Sequence, residues 1–360
     1  MKIAFHAGQL LQRVPGGIGR YEHAMLDHLG DAGVDAIAFA AGARPPGINA
    51  RVPWIDLGAP AGSVRYELWH RLRRPVVRID ADLAHAPSLA IPPVSIPLVV
   101  TVHDVAFLRV PNVTTRRGVV FHERGLELAR KEAALVLVPS RFTARELARE
   151  GFAPDRVEVA EFGVDPPAAR RDDDIDSALA AVGVRAPFVL TVGTVEPRKQ
   201  LPSLVRAVAE VRTRRPGLTL VVVGPRGWGE VEDLDRSFVR VLGRQPWTVV
   251  DALYRRAEVF CVASLYEGFG LPALEAMARG TPTVATTGSA MEEFVEGAGL
   301  LFAPGDVDGC IDALARAIDD RDLRAALRAS GQERAASLTW ERSAETHARA
   351  YSRALLLSRS

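Results

Sequence analysis

Short runs in which apolar residues follow one another directly alternate along this chain with longer stretches in which they recur every third or fourth residue. "KIAFHA", "VDAIAFAA", "DLAHAP", "PLVVTVHDV" and "LVLVPS" predict strands buried on both faces, because continuous β-branched runs closed by turn residues suit a covered parallel sheet. "GIGRYEHAMLDHLGDAG", "TTRRGVVFHERGLELARKEA" and "SRFTARELAREG" between them predict helices; in the last, Ser140 can cap the start and Gly151 the end. A second series follows, with strands "FVLTVGTV", "LTLVVVG", "EVFCVAS", "TPTVATT" and "GLLFAP" and helices "LPSLVRAVAEVRTRRP" and "ALYRRA". Two such series predict an α/β protein of two doubly wound, Rossmann-like parallel-sheet domains. The break falls at "GVDPPAARRDDDIDSALAAVGVRAP" (163–187), rich in Pro, Asp and Ala, which predicts a linker carrying a short helix. The expected organisation is a first domain over 1–165, a linker over 166–186, a second domain over 187–339 and a terminal helix over 340–360. Trp340, Ala344, His347, Tyr351 and Leu355 give that last helix an apolar face that needs a surface to dock on.

Composition narrows the classes. A length of 360 residues exceeds one ordinary core and fits two domains. The formal net charge of +1 removes any global electrostatic case for a nucleic-acid partner. Two cysteines in apolar company, Cys261 and Cys310, supply neither a disulfide framework nor a cysteine zinc site. The opening "MKIAFHAG" has a strand pattern rather than that of a signal peptide, and no apolar run reaches the ~18 residues that span a bilayer. The expected location is the cytoplasm, with at most peripheral contact with the inner membrane. Lysine occurs only at Lys2, Lys131 and Lys199 in a chain otherwise served by arginine.

The candidate chemistry sits at strand ends. In "YEGFGLPALEAMARGTP" (266–282), Pro272 suits a first helical turn and Gly280-Thr-Pro282 a helix end. Glu267-Gly-Phe-Gly then occupies a loop after a strand, where glycine N–H groups and a helix N-terminus favour an anion such as phosphate. Glu275, near the first turn, can accept hydrogen bonds from sugar or ribose hydroxyls. A capping loop with two solvated glutamates is the plainer alternative. "VGTVEPRKQL" (192–201) places Arg198 and Lys199 at a helix start, where the helix dipole disfavours cations. A diphosphate would resolve that conflict; a solvated basic pair at a helix start is the plainer alternative. In "TVHDVAFL" (101–108) His103 ends a strand and can serve as donor or base, or simply bond to a backbone group. "PGGIGRY" (15–21) offers close backbone approach at a helix start. It is not the dinucleotide fingerprint, since position 22 is Glu.

Taken together, "PSRFTARELAREGFAPDRVEVAEFGVD", "VLTVGTVEPRKQL", "ALYRRAEVFCVASLYEGFGLPALEAMARGTPTVAT" and "LTWERSAETHARAY" resemble the family-4 retaining glycosyltransferases of GT-B fold, in the family's order and over nearly the whole chain. The resemblance implies two Rossmann-like domains with a cleft between them. It implies a nucleoside-diphosphate sugar as donor substrate, with no cofactor and no metal. A hexose, mannose- or glucose-like, would pass to a glycan, lipid-linked or small-molecule acceptor with retention of configuration. Arg198 and Lys199 would neutralise the diphosphate, with Thr194 alongside. Glu267 and the backbone of Gly268, Phe269, Gly270 and Leu271 would hold the sugar, Glu275 the ribose. His103 would face the reacting carbon as a second catalytic residue, and Gly16 and Gly17 would approach the phosphate from the first domain. The terminal helix would cross back onto that domain. Thr194 departs from the arginine of many members, and Gln200 from the usual asparagine.

An epimerase of the same fold and a non-catalytic nucleotide-sugar binding protein are the rival readings. "RRDDDID" (170–176) and "GDVDG" (305–309) lie off the strand ends and predict a solvated charge cluster and a helix cap rather than metal ligands. "RYELWHRLRRPVVR" (65–78), with five arginines against one glutamate, predicts a solvated helix or a contact with an anionic membrane or lipid-diphosphate acceptor.

Overall fold

The computed structural model describes residues 1–111 and 114–358. It divides into two compact units. The first comprises Met1–Val105, Thr115–Gly163 and Thr339–Ser360; the second comprises Ala106–Thr114 and Val164–Leu338.

In the first unit, β1 (Lys2–His6), β2 (Asp35–Ala40), β3 (Trp54–Asp56), β4 (Leu83–Ala86), β5 (Leu98–Thr101), β6 (Leu135–Val138) and β7 (Val157–Val159) form one sheet. Its order is β3-β2-β1-β4-β5-β6-β7 and every pairing is parallel. The sheet reverses direction of growth between β1 and β4, the point at which doubly wound sheets bind ligands. β4, β5 and β6 are buried at every position, which is why their sequences run apolar without alternation. In the second unit, β8 (Phe188–Val192), β9 (Thr219–Val223), β10 (Val239–Gly243), β11 (Val259–Val262), β12 (Thr283–Thr286) and β13 (Leu300–Phe302) repeat the plan in the order β10-β9-β8-β11-β12-β13. The direction of growth reverses between β8 and β11.

The helix Trp340–Leu357 belongs to the first unit and buries Trp340, Ala344, His347 and Tyr351. A chain of hydrogen bonds fastens it, and each direction follows from the last. His347 Nδ1 donates to the Ser343 carbonyl at 2.7 Å, so its Nε2 accepts from Tyr21 Oη at 2.6 Å. Tyr21 Oη then accepts from the Thr101 hydroxyl at 3.0 Å. Thr101 in turn accepts from His85 Nε2 at 2.8 Å, and His85 Nδ1 accepts from Tyr351 Oη at 2.8 Å. Burial holds both histidines neutral: His347 is pushed down to about 4 and His85 well below its ordinary value. Tyr21→Phe would strand two buried partners. We expect it to cost ~1–3 kcal/mol, read as a lowered denaturation midpoint at unchanged m-value.

Two expectations are corrected here. The segment taken as a linker is part of the second unit, where the helix Asp172–Ala181 is pinned by Arg256 to Asp172 at 2.8 Å and to Asp176 at 2.9 Å. The acidic cluster is exposed but paired, because a basic helix end lies beside it. The basic stretch 65–78 is not a uniformly solvated helix. The helix Gly62–Leu72 buries Arg65, Trp69 and His70, and Arg73 donates to the carbonyls of Trp69 and Ile91 at 3.0 Å each. Among the described residues no helix is long and apolar enough to cross a membrane.

Candidate active site

The loops after β8 and β11 flank the reversal point of the second sheet, and they are joined to each other. The Leu265 N–H donates to the Arg198 carbonyl at 2.9 Å, and Arg198 Nη1 donates to the Tyr266 carbonyl at 2.5 Å. At that junction Lys199 Nζ stands 2.5 Å from Glu267 Oε1, and Arg198 Nη1 stands 3.2 Å from Glu267 Oε2. Arg198 is clamped from its other side by Glu196, itself 1% exposed, at 2.7 Å. Two cations and two carboxylates thus form a nearly dry, balanced cluster. Burial alone would raise the Glu267 carboxyl, but Arg198 and then Lys199 outweigh it and hold it down to about 2. Glu267 is therefore an ionised acceptor near neutral pH and has no proton to give as a general acid.

The backbone makes this geometry. Gly193 gives the lysine stem room, since a Cβ there would lie 3.2 Å from Lys199 Cε. Pro197–Lys199 forms a 3-10 turn, and Gln200 in the left-handed region (φ 51°) ends it before the helix Leu201–Val211. The two cations consequently precede the helix rather than open it. Its start carries no side-chain cap. Thr194 is half-buried, and a Cβ on Gly227 would come within 2.6 Å of its methyl group.

After Glu267 the chain passes Gly268, Phe269 and Gly270 to the helix Leu271–Ala278, which has Pro272 in its first turn. Gly270 has φ 101°, and a Cβ would meet Met291 Cγ at 2.5 Å, so only glycine fits. Phe269 and Leu271 are each 7% exposed, and Phe269 packs on Phe294 with ring centroids 5.3 Å apart. Their side chains are buried anchors, which leaves the backbone of this stretch as what it can offer a ligand. Glu275 is the fifth residue of the helix, 5% exposed, and its Oε2 accepts from Tyr254 Oη at 2.8 Å. Sequence reasoning passed over Glu196 and Tyr254. Glu196 was legible in "VEPRK" as an acid two residues before the arginine; nothing in "ALYRRA" marked Tyr254.

The second unit therefore brings together Thr194, Arg198, Lys199, Glu267, Gly268, Phe269, Gly270, Leu271 and Glu275. Gly16, Gly17 and His103 lie in the first unit. Gly16 and Gly17 open the helix Gly16–His28, Gly16 with φ 62°. His103 Nε2 donates to the Pro87 carbonyl at 2.6 Å, and its ring packs against the stacked pair Tyr21 and Phe162, with centroids at 5.3 and 5.5 Å. Burial lowers its pKa, so the ring is neutral with Nε2 already committed.

Two doubly wound sheets, one with a paired cluster of two cations and two carboxylates at its reversal point beside an uncapped helix start, place polar groups where such sheets bind ligands. Comparison with known proteins makes this particular. Residues 15–167 match the description Glycosyltransferase Family 4, and residues 180–334 match Glycosyl transferases group 1. The O-antigen chain mannosyltransferase B of Escherichia coli is 30% identical over 296 residues, covering 77% of this chain and 76% of that protein. A D-inositol 3-phosphate glycosyltransferase of Kribbella flavida is 36% identical over 220 residues, covering 56% of this chain; the chain spans about half, 52%, of that relative's length. The Anabaena protein Alr3699/HepE, solved in complex with UDP and glucose, superposes with a TM-score of 0.75 at 20% identity, covering 98% of this chain and 99% of that one. The chain belongs to the family-4, group 1 glycosyltransferases and has the GT-B fold.

Proposed function

We propose that this glycosyltransferase transfers a hexose, mannose- or glucose-like, from a nucleoside-diphosphate sugar to a hydroxyl of a glycan, lipid-linked or small-molecule acceptor, with retention of configuration and without a metal. The observation that carries the reading is the Arg198–Lys199–Glu267 cluster at the reversal point of the second sheet. As the glycosidic bond to the diphosphate breaks, negative charge grows on the leaving oxygens. Preorganised cations and N–H groups stabilise it there, commonly the largest single contribution to such a step. Arg198 and Lys199 supply the positive charge that a divalent ion would otherwise bring. Glu267 accepts from hydroxyls of the transferred sugar, the Gly268–Leu271 backbone lies along the diphosphate and sugar, and Glu275 accepts from the ribose.

The weakness of Glu267 as a base supports the proposal of retention. A carboxylate held down to about 2 by two cations neither attacks the sugar readily nor takes the acceptor's proton. The departing phosphate oxygen is the stronger base, and it lies on the face from which the acceptor attacks. The mannosyltransferase relative supports a hexose, and the Anabaena neighbour, solved with UDP and glucose, puts uridine nucleotides among those to be tried.

The test is a thermal-shift screen of UDP, GDP and ADP and their sugars, followed by product analysis with and without acceptors. At a hundredfold excess over Kd the correct nucleotide adds ~2.7 kcal/mol to stability, an easily read rise in Tm. Conversion of donor to a new nucleotide sugar without acceptor would mark an epimerase. No shift with any nucleotide would overturn the reading.

A further inference from the structure

The cluster after β8 and β11 holds a second carboxylate that a site for an anion does not call for. Arg198 donates to Glu196 Oε1 through Nε at 2.9 Å and stands 2.7 Å from it through Nη2. The other edge of the same guanidinium is already engaged, with Nη1 on the Tyr266 carbonyl at 2.5 Å and 3.2 Å from Glu267 Oε2. Lys199 shares Glu267 at 2.5 Å. Among the described residues the Glu196 side chain forms an ion pair with Arg198 alone.

The backbone buries this carboxylate. Val195 carries the pairing of β8 and β9 past the strand ends: its N–H donates to the Pro225 carbonyl at 2.9 Å, and its own carbonyl accepts from the Gly227 N–H at 3.0 Å. The loop after β9 thereby lies against residues 194–196, and a Cβ on Gly227 would stand 3.5 Å from Glu196 Cβ. Glu196 is too covered to touch a ligand itself.

Taking a carboxylate out of water is costly, so its presence needs a reason. Glu267 already gives Arg198 a counter-charge. Without Glu196 the cluster would be two cations around one carboxylate, with a surplus positive charge suited to a diphosphate. With it the cluster is neutral. The reaction proposed above makes that surplus matter. The bond from the anomeric carbon to the diphosphate oxygen breaks, its electron pair stays on the oxygen, and a bond forms from the acceptor oxygen to that carbon. Once the acceptor's proton has passed to solvent, the nucleoside diphosphate carries one more negative charge than the sugar donor did, because a terminal phosphate loses its second proton near ~6. A surplus positive charge would favour the product over the donor, and product release limits turnover in many enzymes.

We propose that Glu196 is a positioning residue that acts through Arg198. It holds the guanidinium edge-on to the Tyr266 carbonyl and cancels its charge, which biases the site against the nucleoside diphosphate product relative to the nucleotide-sugar donor. Lys199 keeps its charge for the leaving oxygens. The inference rests on the donor reading above and adds to it a residue that governs release.

Isothermal titration of the full chain tests it. UDP, GDP and ADP are titrated beside UDP-glucose, GDP-mannose and ADP-glucose, into wild type and into Glu196→Gln. Glutamine keeps an acceptor oxygen for Arg198 and removes the charge. The nucleoside diphosphate that wild type binds should tighten ~3–10-fold in this variant, the effect of one charge removed within a few ångströms of the cations. Its sugar ester should tighten less, so the preference for product over donor rises. A residue that only props the loop would weaken both ligands together. Glu196→Asp keeps the charge and shortens the arm, and should leave that preference within about twofold of wild type even where its Tm falls; it decides the matter alone if the glutamine variant does not fold. A Glu196→Gln variant that binds the diphosphate no tighter, or a Glu196→Asp variant whose preference moves beyond that range, would overturn the proposal and leave the donor reading standing. Failure of wild type to bind any of these ligands brings down both.

Discussion

Alanine at Lys199 is expected to lower transfer ~10²–10³-fold, the effect of removing one preorganised charge-stabilising group from a desolvated site. Lys199 is suited to the task because its compact ammonium is fixed 2.5 Å from Glu267 and its side chain is 15% exposed. Arg198, tied to Glu196 and to the Tyr266 carbonyl, cannot swing across to replace it. Two readouts separate chemistry from folding. Breaking a buried ion pair can cost ~3–5 kcal/mol when a charge is left alone. Here Glu267 keeps Arg198 at 3.2 Å, so the loss in Tm should be smaller than that figure implies. The effect should fall on kcat more than on the donor KM if the lysine acts on the leaving group. Lys199→Arg should rescue only partly, since a planar fork does not reproduce a point charge at that spot. A variant with kcat within twofold of wild type would remove Lys199 from the mechanism.

The second large effect is acid unfolding of the first unit ahead of the second. All eight histidines, at positions 6, 23, 28, 70, 85, 103, 122 and 347, lie in the first unit. Burial holds His6 down to about 3 and His70 and His347 to about 4, and keeps His85 well below its ordinary value. In the unfolded chain each titrates near ~6.5. Below that value the unfolded chain takes up protons that the folded unit refuses, so stability present above 6.5 is lost as pH falls towards 4. Each such histidine contributes ~1.4 kcal/mol per pH unit over that window, roughly 4 for three of them, against a total of ~5–15 kcal/mol for a domain. The second unit has no histidine. Its strongly shifted acid, Glu267, contributes stability that is fully present above the ordinary 4.5 and lost only as pH falls towards about 2. Hydrogen exchange resolved by segment should therefore show the first unit losing protection near pH 5 while the second keeps it. Trp69 and Trp340, 0% and 1% exposed, provide a fluorescence signal for the same event. Full protection of β4 and β5 at pH 4.5 would contradict this account.

The strands that the hydrophobic pattern revealed are those covered on both sides; β3, β7 and β10 escaped it. Each is an edge strand whose residues are mostly half-buried or exposed, so its sequence ("WID", "VEV", "VRVLG") carries no sustained apolar run. The candidate loops were readable for a related reason. Glycine, proline and paired charges at strand ends marked Lys199 and Glu267 as candidates, while their roles came from the resemblance to the family and not from spacing alone. Their direct pairing could not be read there, because 68 residues separate them and only the adjacency of β8 and β11 brings them into contact. Arg65 shows the opposite failure: in a stretch dense with arginine, nothing local distinguishes the one that points inward from those that face water.

The return of the helix Trp340–Leu357 to the first unit has a consequence for how the protein is made. On the ribosome, the first 163 residues emerge without the helix that carries Trp340 to Phe162, 5.9 Å between rings, and Tyr351 to His85. At ~5–20 residues per second, the remaining stretch keeps that core open for roughly ten to forty seconds, while the long block of the second unit can close as soon as it is exposed. The part of the chain made first is thus finished last, and the nascent first unit is where holding chaperones would find their apolar surface.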